Sequence, residues 1–113
     1  MNDLNPNPPR VNDPSPWGTI EYVEEWADGI YRIHTSSHGG AWISPQRAAE
    51  MPTWACDITA YAPKPQWWEE DCEILIVLHV FADELYRKPD DETRSCWVKL
   101  IRNIYNLNLS EVA

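Results

Sequence analysis

The stretch Trp67–Phe81 constrains this chain more than any other. Two indoles (Trp67, Trp68) lead into three consecutive acids (Glu69, Glu70, Asp71), then a thiol (Cys72), then an apolar run broken only by His79. Acids in a first helical turn complement the partial positive charge of that end, and Lys64-Pro65-Gln66 suits the approach to such a turn. A helix over Trp67–Leu85 with a buried end is therefore expected. A strand over Ile74–Phe81 is its rival, because a short β-branched run cannot be told from a buried helix by periodicity alone.

Something must cover that run. The 113 residues suffice for one domain, and a chain of this size buries about two-thirds of its unfolded surface. Thr19–Trp26 carries Ile20, Tyr22, Val23 and Trp26 among outward acids and reads as a strand; Asp28-Gly29 favours the positive backbone angles of a hairpin turn. Ile30–Thr35 then alternates, with Ile30, Arg32 and His34 on one face and Tyr31 and Ile33 on the other. After Ser36-Ser37-His38-Gly39-Gly40, Ala41-Trp42-Ile43 returns as a third short strand. Ser44-Pro45 starts a short helix with Ser as cap and Pro in the first turn, ending before Pro52. Thr53–Tyr61 is ambiguous between elements. Beyond the charged loop Arg87–Glu92, Thr93 is expected to cap a final amphipathic helix in which Cys96, Trp97, Leu100, Ile101, Ile104 and Tyr105 follow helical spacing. Residues 1–16 hold half of the ten prolines and read as a disordered or loosely draped arm, and the end from Asn106 as a fraying tail. The expected fold class is α+β: a single domain over residues 17–113, with a small antiparallel sheet of two or three strands packed against two main helices.

Eighteen acids against nine Lys and Arg give a net charge of -9. Such a surface repels phosphates and membrane headgroups and is drawn to cationic clefts, so direct nucleic-acid or membrane binding is not expected, whereas binding a nucleic-acid-binding protein is. Three cysteines (Cys56, Cys72, Cys96) without Cys-x-x-Cys spacing point to reduced thiols and a cytoplasmic setting rather than a disulfide framework or a zinc knot. No apolar segment approaches the ~20 residues of a membrane span, and the start carries no secretory pattern.

Thr35-Ser36-Ser37-His38-Gly39-Gly40, then Ile43-Ser44-Pro45 with Arg47 and Met51-Pro52, then Trp68-Glu69-Glu70-Asp71-Cys72, resembles the pattern of a domain of unknown function carried by phage and plasmid proteins. Trp68 stands where that pattern has Tyr, and the segment from Thr53 to Gln66 is individual. The resemblance implies a mobile-element setting in a bacterial host cell, and no biochemical activity. Small acidic proteins of that setting are often inhibitors of host defence, anti-CRISPR proteins among them, which is an analogy.

Three kinds of chemistry fit these residues. His38 between flexible neighbours, with Glu69, Glu70 and Asp71, offers imidazole and carboxylate groups suited to a metal-assisted hydrolase or transferase, although the spacing matches no recognised ligand motif and no metal or cofactor is expected. The alternative for the same residues is structural, with His38 bonded to a backbone group or carboxylate and the acids capping a helix or pairing with Arg47 or Arg32. Cys72 follows three acids that disfavour a thiolate, so packing suits it better than nucleophilic attack, and His79 reads as a core histidine. Trp54, Tyr61, Trp67 and Trp68 surround a proline-bounded region and are candidate partner anchors, with Glu69 and Glu70 on their rim. The leading expectation is a phage-encoded inhibitor of a bacterial defence complex that occludes a basic nucleic-acid-binding surface; the alternatives are the small enzyme and a homodimeric interaction domain.

Overall fold

A computed structural model describes residues 4–107 other than 57 and 60. Two short strands, β1 (Pro14–Ser15) and β2 (Gly18–Thr19), form a hairpin of their own. The main sheet is antiparallel, in the order β3 (Tyr22–Ala27), β4 (Ile30–His34), β5 (Gly39–Ile43), β6 (Trp67–Glu69). Between β5 and β6 lie the small helices α1 (Pro45–Ala49) and α2 (Thr53–Cys56); after β6 come α3 (Ile74–Val80), a 3-10 turn (Ala82–Glu84) and α4 (Asp91–Tyr105).

This overturns the expected sheet of two or three strands on two main helices. The sheet has four strands, a second sheet of two accompanies it, and α4 is the one long helix among the described residues. The error lies at Trp67, where a helix was expected to begin. Trp67 and Trp68 instead pair with Trp42 and Ala41, and Glu69 with Gly40, as the fourth strand. The acids that resembled a helical first turn form the bend out of that strand, and the helix starts only at Ile74, which also displaces the rival strand over Ile74–Phe81.

Both faces of the sheet are covered, and every residue of β5 is buried. Register places Ile30, Ile43, Ala41 and Trp68 on the face that meets Ile74, Ile76, Val77, Phe81 and Ile101 from the helices. Ile33, Trp42 and Trp67 lie on the other face with Ile20, under Trp17, Val23, Tyr31 and Tyr61. Burying an indole such as Trp68 or Trp42, each at most 1% exposed, is worth about 3–5 kcal/mol against alanine.

Local signals act as their chemistry dictates. Gly29 has φ +80° at the Asp28-Gly29 turn, and the Ser44 side chain accepts from the Arg47 N–H at 3.2 Å at the start of α1. In α4 the cap is Asp90 rather than Thr93: the Thr93 N–H donates to Asp90 Oδ1 at 2.8 Å, and Asp91 and Glu92 fill the first turn. Asn106, left-handed at φ 55°, ends the helix. The arm read as disordered or loosely draped runs, from Leu4 onward, against the sheet: Asn12 N–H donates to Ile20 O at 2.8 Å and Ile20 N–H to Asp13 O at 2.9 Å. Residues 1–3 of that arm and residues 108–113 of the expected tail lie outside the described residues. Among the described residues no helix is long and apolar enough to cross a membrane.

Candidate functional site

The β5–β6 ladder brings the His38 loop and the Glu69–Asp71 bend together at one end. Gly40 pairs with Glu69, and the Glu70 N–H donates to Gly39 O at 3.0 Å. The loop before β5 is closed by Thr35: its hydroxyl donates to His38 O at 2.6 Å, while the Thr35 and His38 N–H groups donate to His38 O at 3.0 Å and to Thr35 Oγ1 at 3.2 Å. His38 is thus presented at the surface on a pinned turn, its side chain 57% exposed.

Donor atoms of His38, Glu69 and Asp71 all lie within 4.8 Å of one another. A cation held at ~2.0–2.2 Å separates its ligand atoms by about 3–3.5 Å in a tetrahedral site, a spacing somewhat tighter than the 4.8 Å within which these three atoms lie. Burial pushes the Glu69 carboxyl above the ordinary carboxylate range, with the Asp71 carboxyl beside it adding to the rise and the Asp71 and Cys72 N–H groups opposing it. One Glu69 oxygen accepts from the Cys72 N–H at 3.3 Å, and the Glu69 N–H donates to Glu73 Oε1 at 3.0 Å. The bend therefore fixes the half-buried Glu69, while Asp71 and His38 face solvent.

Glu70 is used differently. Arg32 Nη2 donates to Glu70 Oε1 at 2.9 Å, and Arg32 Nη1 donates to the carbonyls of Ile33 (2.7 Å) and Gly40 (3.1 Å). The second Glu70 oxygen stands 3.6 Å from His38 Nδ1. Of the two arginines weighed as partners for the acids, Arg32 is the one in place. Arg47 instead reaches Glu50 (3.3 Å) and Glu84 (2.7 Å), with its guanidinium over the Phe81 ring.

The four proposed aromatic anchors do not form one exposed patch. Trp68 is fully buried in the helix-bearing face, where its indole N–H donates to Pro65 O at 2.5 Å, and half-buried Trp54 packs on the same core. Trp67, 9% exposed, and Tyr61 belong to the opposite face, each edge-on to Trp17 at 5.5 Å. Strand alternation separates Trp67 from Trp68, a consequence that the expected helix concealed. Cys72 and His79 are half-buried, the Cys56 thiol donates to the carbonyls of Met51 (3.8 Å) and Pro52 (3.5 Å), and Cys96 is exposed. Gln66 was not singled out from the sequence. It is fully buried, with its side-chain amide bonded to Asn5 and Ile43, and a polar residue between a proline and two indoles was the signal.

No curated protein and no solved structure matches this chain. A family model described as a domain of unknown function (DUF7007) matches residues 10–111, nearly the whole chain, and the protein belongs to that family.

Proposed function

We propose that the chain binds one divalent cation through His38, Glu69 and Asp71 and uses it to activate water or to polarise a substrate oxygen, as a small metal-assisted hydrolase or transferase would. The convergence of one imidazole and two carboxylates within 4.8 Å at the pinned end of the ladder carries this reading. One nitrogen and two hard oxygens suit zinc, manganese or ferrous iron. Three protein ligands leave a position for water or substrate, and a bound cation lowers the pKa of that water. Arg32 and Glu70 hold the bend beside it. Titration with Mn2+ followed by NMR should broaden signals of His38, Glu69 and Asp71 first, with binding lost in His38→Ala and Glu69→Gln. Uniform broadening across all exposed acids, or binding unchanged in both variants, overturns the proposal.

A second function is supported by β3. This edge strand exposes Glu24 and Glu25, and Glu21 is exposed just before it, in a chain of net charge -9. Such a strip suits a cationic groove, as an inhibitor of a bacterial defence complex would require in the phage or plasmid setting that the sequence pattern implies. Acids on an edge strand also guard it against pairing with other chains. Stoichiometric inhibition of such a complex that survives His38→Ala and fails in Glu24→Lys/Glu25→Lys would favour this function over the cation site.

A further inference from the structure

Helix α4 carries two apolar stripes, and the domain covers one of them. Val98, Ile101 and Tyr105 pack on the helix-side core, Ile101 being the one fully buried residue of the helix. Cys96, Leu100 and Ile104 follow one another at four-residue spacing on a different side, with Thr93 and Trp97 beside them, each three or four residues from its neighbours in the stripe. Leu100 and Ile104 are 41% and 43% exposed, Cys96 is exposed, and half-buried Trp97 belongs to neither core cluster.

The N-terminal end of this stripe borders a recess of about 540 Å³. Its walls are Trp26, Leu78, Leu85 and Tyr86, with Thr93 and Trp97 supplied by α4 itself. The charges that also border it, Glu24, Glu25 and Asp90 against Arg87 and Lys88, nearly cancel. Glu25 and Asp90 are moreover engaged, by the Tyr86 hydroxyl at 2.6 Å and the Thr93 N–H at 2.8 Å. The recess therefore suits an apolar side chain better than an ion. Two exposed aliphatic side chains, Leu100 and Ile104, stand about two and three turns from Thr93 on the same helix. They cannot enter the recess of their own chain, because the helix that carries them is one of its walls; those of a second copy can.

Charge order along α4 decides how a second copy would lie. Glu92 and Lys99 stand four residues before and three after Cys96, on its side away from Trp97, and neither makes an ion pair among the described residues. Two parallel copies would set Glu92 against Glu92 and Lys99 against Lys99, which is repulsive. In an antiparallel pair crossing near Cys96 and Trp97, each Glu92 comes within two residues' rise, about 3 Å, of the other copy's Lys99. The same crossing puts Leu100 opposite the other copy's Thr93, and Ile104 opposite its Pro89, which also lines the recess.

We propose that the chain forms a two-fold symmetric dimer through antiparallel α4 helices, each copy placing Leu100 and Ile104 at the recess beside the other's Thr93 and Trp97. The contact uses the same surface on both copies, so it closes at two. It shares no residue with the cation site, and the two stand or fall separately.

Sedimentation equilibrium of the full chain should show the mass doubling as concentration rises. Leu100→Asp/Ile104→Asp should stay monomeric throughout, with its far-UV circular dichroism unchanged. Lys99→Glu should weaken association at least about tenfold by setting like charges face to face. Glu92→Lys/Lys99→Glu should restore it, because exchanging the two charges preserves their antiparallel match, whereas independent damage from the two substitutions would add. A wild-type chain that remains monomeric, a dimer that survives Leu100→Asp/Ile104→Asp, or a folded charge-exchanged chain that does not associate overturns the proposal.

Discussion

Arg32 and Glu70 reach each other across the end of β5, guanidinium to carboxylate at 2.9 Å, over the point where Gly39 has no side chain. A Cβ at Gly39 would lie 2.7 Å from Arg32 Nη1 and 3.4 Å from Glu70 Oε1, and would collide with the Ile33 carbonyl. Gly39→Ala should therefore cost about 1–3 kcal/mol, the usual cost of overpacking, as read by urea unfolding. A loss below about 0.5 kcal/mol, the range of ordinary surface substitutions, would show that the crossing is not constrained there.

The bridge itself has a distinct signature. Arg32 and Glu70 side chains are 17% and 29% exposed, so removing one leaves the other partly desolvated and unpaired. Arg32→Met should destabilise by about 1–3 kcal/mol, because Glu70 and the Ile33 and Gly40 carbonyls all lose their donor. Arg32→Met/Glu70→Gln should recover part of that loss by removing the stranded charge. Additive losses in the double-mutant cycle would mean that the two side chains act independently.

What could be read from the sequence was local. Asp28-Gly29 and Ser44-Pro45 each specify a backbone conformation within a few residues, and both stand where their chemistry places them. The bend at Glu69–Asp71 was misjudged because acids after two indoles satisfy either a helix start or the end of a buried strand. What decides is pairing with Gly40–Trp42, 29 residues earlier for the Gly40–Glu69 pair, which no local pattern encodes. The proximity of His38 to Glu69 and Asp71 was legible as a possibility from residue types alone, yet their actual meeting depends on that same pairing. Burial of Trp67 and Trp68 on opposite faces follows from it as well.

Asp90 gives the chain an acid-sensitive helix. Its carboxyl is held below the ordinary value of 3.8, chiefly by the hydrogen bond from the Thr93 N–H, then by the Thr93 side chain. A group whose folded pKa is depressed stabilises above its unfolded pKa, and the contribution disappears as pH falls through the folded value. Far-UV circular dichroism should therefore show helix loss on acidification below about 3.8 that is reduced in Asp90→Asn, whose amide oxygen caps the helix without titrating. Identical acid profiles for the two proteins would assign the loss to other carboxyls.

Glu69 runs in the opposite sense. Burial, followed by the effect of Asp71, raises its carboxyl above the ordinary 4.5, so the native state holds that proton more tightly than the unfolded chain does. Stability then falls as pH rises from the ordinary value through the raised one, and the penalty is complete above it. Without added metal at neutral pH, Glu69→Gln should be the more stable protein, by on the order of 0.5 kcal/mol given the partial exposure of the site. The amide oxygen can still accept from the Cys72 N–H, which keeps the bend intact. Saturating divalent cation should reverse the order: a ligand at 100 times its Kd stabilises the wild-type chain by about 2.7 kcal/mol, whereas the variant lacks one of three ligands and gains far less. Thermal melts of both proteins with EDTA and with Mn2+ should therefore cross. Parallel shifts in the two would place the bound ion away from Glu69, and a wild-type chain that is already the more stable in EDTA would show that ionised Glu69 does not strain the fold.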